Sequence, residues 1–191
     1  MGDPPEFRRF QYSDVEFIDL GTVDDVDGYV WISENPELRT IRIDARRIRG
    51  FLKIDENPKL ELIEGLARLE HVSGGLIVGG SPLIDELPEM PCLKTLGSLE
   101  VAGSSLVHLG VMPALERIDG VLEIAENNLL ESVAFPGLET IRWSFLLCDN
   151  PRLREIQVPR LRSIGRHFGV ENTPHLGEDA LRRMRQLVAS A

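Results

Sequence analysis

The chain has 191 residues, 42% of them hydrophobic and 27% charged, with a formal net charge of -10. That balance is ordinary for one globular domain with a substantial core. The acidic excess argues against nonspecific binding to a phosphate backbone, which depends on clustered Lys and Arg, so nucleic acid is not an expected partner.

The charge is unevenly spread. Residues 1–141 hold 26 acids against 12 bases, a balance of -14, whereas residues 142–191 hold 5 acids against 9 bases, a balance of +4. Such poles can steer a basic partner to the N-terminal side or favour head-to-tail stacking, and a plain solvated surface carries them equally well. The opening stretch "MGDPPEFRRFQYSDVEF" lacks the basic start and the apolar run of about 7 to 15 residues of a secretory signal. Glu6 stands where a myristoylation signal needs Ser or Thr, and no run approaches the ~20 apolar residues of a membrane helix. The expectation is a cytoplasmic protein without a membrane partner.

In chain order, residues 1–22 are expected to form an N-terminal cap, with "FRRFQYSDVEFIDL" supplying apolar cover. From residue 23 to 176 the chain repeats itself. Seven apolar triplets recur every 22 to 24 residues: Val30-Trp31-Ile32, Leu52-Lys53-Ile54, Leu76-Ile77-Val78, Leu99-Glu100-Val101, Leu122-Glu123-Ile124, Phe145-Leu146-Leu147 and Phe168-Gly169-Val170. Each is apolar at its first and third positions, the period-2 signature of a strand with one buried face.

Shortly after each triplet comes a corner phrase, as in "ENPELRTI", "ENPKLELI", "ENNLLESV" and "DNPRLREI". Asn35, Asn57, Gly80, Gly103, Asn127, Asn150 and Asn172 are the expected left-handed corner residues, because Asn and Gly adopt that backbone most readily. Leu38, Leu60, Leu83, Leu106, Leu130, Leu153 and Leu176 are expected to point inward after them. If the corners stack, the Asn amides can hydrogen-bond from coil to coil.

Closing phrases such as "MPALERI", "FPGLETI" and "VPRLRSI" complete each period. A coil this short cannot bury its apolar side alone, so a parallel solenoid follows, with four or five inward residues per coil. Coils climbing by roughly 4.8 Å each give a rod on the order of 34 Å long. Cys92 and Cys148 fall three coils apart, roughly 14 Å, too far for a disulfide, and are expected as free thiols. Residues 177–191 close the rod with a capping helix: Leu181, Met184, Leu187 and Val188 share one face, and Glu178 and Asp179 sit at its positive end.

The unit L-x-x-I-x-G-x-L-x-I-x-x-N-x-x-L followed by F-P-x-L-x-x-I, carried most fully by "LERIDGVLEIAENNLLESVAFPGLETI" at 115–141, resembles the receptor L-domain family, relatives of the leucine-rich repeats. The resemblance covers roughly residues 23–176. It implies a right-handed, single-stranded parallel β-helix that binds proteins on its sheet surfaces, as the ligand-binding domains of the insulin and epidermal growth factor receptors do. No ligand-binding residue is carried over from the family, because none matches by motif.

Candidate binding residues are the outward positions of the triplet strands: Tyr29, Trp31, Phe51, Lys53, Ile77, Glu100, Glu123 and Leu146. Tyr29, Trp31 and Phe51 fall on adjacent coils, a composition typical of an interface hot spot, and equally a patch that an N-terminal cap would cover. Glu34, Glu56, Glu126, Asp149 and Glu171 precede the corners and are either a solvated stripe or a weak calcium or basic-partner contact. His71, His108, His167 and His175 show no zinc spacing, and "SGGLIVGGS" is neither a phosphate loop nor a dinucleotide fingerprint. No cofactor or metal is expected.

A repeated surface without a unique polar constellation points to a non-catalytic protein-interaction module. The acidic face and the missing export signal suit an intracellular recognition, adaptor or inhibitor subunit with a basic protein partner. Two alternatives remain open: a β-helix that binds or cleaves polysaccharide, and a structural assembly subunit joined through its oppositely charged ends.

Overall fold

The computed structural model describes residues 8–188. The expected cap and helix residues 1–7 and 189–191 lie outside them. The chain is a parallel β-solenoid of about seven turns closed by one C-terminal helix, Glu178–Gln186.

All seven triplets lie in strands of one eight-stranded parallel sheet, here the first sheet. The in-register column Val30, Leu52, Leu76, Leu99, Leu122, Phe145, Phe168 runs the length of the rod, and every member is buried. The self-alignment of the sequence is thus the stacking alignment of the structure. The eighth strand, Arg8–Gln11, pairs parallel with Val30–Ser33, so this part of the N-terminal segment lengthens the sheet.

A second parallel sheet is built from the closing phrases, running from Phe17–Val26 and Thr40–Ile48 through short strands to Ser163–Ile164. Its last strand meets Val188 in a single bridge, where the Ile164 amide donates to the Leu187 carbonyl. The helix thereby seals this end, burying Met184 and packing Leu181, Leu187 and Val188 against the core.

Each coil also has a third side, which the triplet and closing phrases do not reveal. Thr40–Arg42 pairs there with Leu62–Glu64, and Ser132–Ala134 pairs with Glu155–Gln157. The interior is correspondingly wider than four or five residues per coil. One coil alone buries Leu122, Ile124, Leu130, Val133, Phe135, Leu138 and Ile141.

The corner differs from its sequence reading in which residue bends. The left-handed backbone belongs to Tyr12, Glu34, Glu56, Gly80, Gly103, Glu126, Asp149 and Asn172, at φ between 47° and 60°. The next residue, Asn35, Asn57, Ser81, Ser104, Asn127, Asn150 or Thr173, is buried. Asn35, Asn57, Asn127 and Asn150 are therefore inward hydrogen-bonding residues. Gly80, Gly103 and Asn172 sit one step earlier and make the bend. The same one-residue offset puts Ile84 in the core and leaves Leu83 50% exposed.

Close coil stacking explains the glycines between the sheets. A Cβ on Gly74 would lie 2.8 Å from the carbonyl carbon of Gly50, below any normal contact. The Gly74 amide in turn donates to the Gly50 carbonyl at 3.0 Å.

Candidate functional site

Strand alternation turns every second residue of the first sheet outward. Register then places Arg9, Trp31, Lys53, Ile77, Glu100, Glu123, Leu146 and Gly169 in one column along the rod. Six of the eight candidate residues stand in this column. The other two, Tyr29 and Phe51, flank it at the same end, with their rings stacked at 5.9 Å and 12°. The structure therefore brings all eight to one face.

At the N-terminal end this face is aromatic and cationic. Trp31 lies between the Arg9 guanidinium, 5.2 Å from its ring centre, and the Lys53 ammonium at 5.0 Å. Lys53 is held there by Asp55, whose Oδ2 is 2.9 Å away. The Trp31 indole N–H is buried and has no hydrogen-bond partner among the described residues. Tyr29, Val30, Trp31, Phe51, Lys53 and Ile77 line a cleft of about 300 Å³. The described part of the N-terminal segment does not cover it, since Tyr29 and Phe51 keep 43% and 38% of their surface exposed.

Toward the middle of the rod the face turns acidic. Glu100 and Glu123 are register neighbours, and the Glu100 carboxyl titrates above its ordinary range. Burial is the main cause and the charge of Glu123 the second, opposed by Lys53. Beside them Gly79, Ala102 and Ala125 form a column of small residues that ends at Cys148. The surface there is a floor of small side chains.

The acids near the corners are spread along the bends of successive coils. Glu34, Glu56, Glu126 and Asp149 occupy the bending position and Glu171 the position before it. Among the described residues no group of three or more His, Cys, Asp or Glu converges to hold a metal ion. Nor is any described helix long and apolar enough to cross a membrane. Cys92 and Cys148 are free thiols.

Two surface features escaped the sequence reading. Trp143 is 50% exposed, with the Arg166 guanidinium 4.6 Å from its ring, at a coil junction where earlier coils carry Gly120 and Gly97. The break in the glycine series was its signal. The larger feature is a cleft of about 690 Å³ on the third side. Its signal was the run "IDELPEMP", where acids and prolines replace the usual phrase.

Compared with protein family models, with curated proteins and with solved structures, the chain matches none of them.

Proposed function

We propose that this solenoid is a non-catalytic protein-binding module that receives its partner on the outer face of the first sheet. The observation that carries this reading is the single column from Trp31 to Leu146, set on a continuous ladder and flanked by the stacked Tyr29 and Phe51 rings. Solvent-facing aromatics on a rigid sheet lose little conformational entropy on binding and bury much apolar area, as interface anchors do. The likeness of the repeat phrase to the receptor L-domain family supports the same use of the sheet surface.

The test is affinity capture from the native source with wild-type protein and with Trp31→Ala, followed by titration of the captured partner in purified form. The reading requires a loss of roughly 2 kcal/mol in binding, about thirtyfold, from Trp31→Ala with the fold intact. Arg117→Ala, on the second sheet, serves as the control and leaves affinity unchanged. Equal affinity for wild type and Trp31→Ala would remove this face from consideration.

A further inference from the structure

We infer that the cleft on the third side is a second docking site, built for a cationic, partly apolar segment of a protein partner. The site is separate from the first-sheet face, and its test does not depend on that face.

The cleft exists because the strand ladder of the third side is interrupted. Leu62–Glu64 bounds the gap on one side and Ser132–Ala134 on the other. Between them coil three runs as the loop around Asp85–Glu89, and coil four contributes only the His108 to Ser132 bridge. That bridge is reinforced by the His108 Nδ1 to Ser132 Oγ hydrogen bond of 2.8 Å. The resulting hollow of about 690 Å³ lies within the ~300–1,000 Å³ span of ordinary ligand clefts.

Its lining specifies the chemistry of the occupant. Val107, Val111 and Ala134 give apolar wall, and Val107 and Val111 are 38% and 52% exposed. Asp85, Glu86 and Glu89 add three carboxylates, and no Lys or Arg is among the lining residues. Several carboxylates elsewhere on the acidic part of the rod are matched by cations from neighbouring coils, Glu61 by Arg39 and Glu70 by Arg46, each at 2.8 Å, and Glu37 by Lys59 at 2.6 Å, whereas among the described residues others, such as Glu100 and Glu123, are not. Asp85, Glu86 and Glu89 have no such ion pair among the described residues. Apolar wall with an uncompensated acidic rim is complementary to Lys or Arg side chains spaced by small apolar ones.

The experiment uses a fluorescein-labelled octapeptide alternating lysine with leucine and alanine, and a matched peptide with glutamate for lysine. Binding is followed by anisotropy and by amide chemical shifts. The expected result is saturable binding of the lysine peptide alone, with shifts at 85–89 and 107–111. Asp85→Asn/Glu86→Gln/Glu89→Gln and, separately, Val111→Arg should each weaken it by roughly tenfold or more. Trp31→Ala should leave it unchanged. A control triple of equal charge change, Asp14→Asn/Glu16→Gln/Glu178→Gln, should cost much less. Absence of saturable binding, binding of the glutamate peptide, equal loss in both triples, or shifts centred on the first sheet would each overturn the assignment.

Discussion

The Asn35 side chain donates to the Asn57 side-chain oxygen one coil away at 3.0 Å, and the Asn35 main-chain N–H donates to that same oxygen at 3.1 Å. The Asn57 amide nitrogen donates in turn to the carbonyls of Ile32 and Asp55 at 3.0 and 2.9 Å. Asn57 is wholly buried and ties two coils together. Asn127 and Asn150 repeat the arrangement near the other end, donating to Val101 and Ala125 and to Ile124 and Cys148.

Asn57→Ala would take the acceptor from the buried Asn35 main-chain N–H and the side-chain donor from the carbonyls of Ile32 and Asp55, the latter still accepting from the Glu34 amide at 3.3 Å. A buried group left unpaired costs about 1–3 kcal/mol before relaxation. The expected loss is about 2–4 kcal/mol of stability, read as a lower urea midpoint. Asn57→Asp should be at least as damaging despite its matching shape. It replaces the donor toward Ile32 and Asp55 with a carboxylate oxygen facing carbonyls. A midpoint within error of wild type for both would remove the ladder from the account of stability.

One residue earlier the demand reverses. Glu126 holds φ at 57°, a conformation that costs a side-chain-bearing residue roughly 1–2 kcal/mol and glycine little. Glycine also loses more entropy on folding, about 0.5–1 kcal/mol. Glu126→Gly should therefore leave stability unchanged or raise it by up to ~1 kcal/mol, although it deletes a side chain. A clear loss would mean that the Glu126 side chain makes a stabilising contact. Coils three and four already carry Gly80 and Gly103 at this bend.

These two neighbouring positions also explain how far the sequence could be read. The triplets were legible because buried alternation allows one register only, and Val30 through Phe168 stack as their spacing requires. The outward column followed from the same parity, which is why all eight candidate residues share a face. The corner was less legible because Asn both tolerates a left-handed backbone and satisfies buried backbone groups. Composition alone does not separate the bend at Glu34 from the hydrogen bonds of Asn35. The third side was not legible, because its strands Leu62–Glu64, Ser132–Ala134 and Glu155–Gln157 are three residues long and carry too little alternation. Its cleft arises where the pattern fails at Asp85–Glu89.

Glu100 supplies a pH dependence of defined sign. Its carboxyl is raised by burial first and by Glu123 second, so across the window between its unfolded and folded values the folded state binds more protons. Stability therefore falls as pH rises through that window, and the cost is fully present above it. Glu100→Gln should be more stable than wild type at neutral pH, with the difference vanishing below the ordinary carboxyl range of about 4.3. Glu70 has the opposite sign, since its hydrogen bond from Arg46 lowers its carboxyl. Glu70→Gln should lose slightly at neutral pH and nothing in acid. Denaturation midpoints measured against pH would reveal parallel curves for both variants if these assignments failed.

The two cysteines should react at different rates although both are free. Cys92 is exposed, whereas Cys148 lies partly buried on the first sheet, in the column next to Glu123. Its thiol is raised by burial first, then by the charges of Glu123, Glu171 and Asp149, which disfavour a thiolate. Alkylation depends on the thiolate and on access to it, so iodoacetamide under native conditions should modify Cys92 faster than Cys148, by roughly tenfold. Denaturant should abolish the difference, because both the acidic neighbourhood and the burial belong to the folded rod. Peptide mass spectrometry over a time course distinguishes the sites, and equal native rates would contradict the placement of Cys148 beside the acidic column.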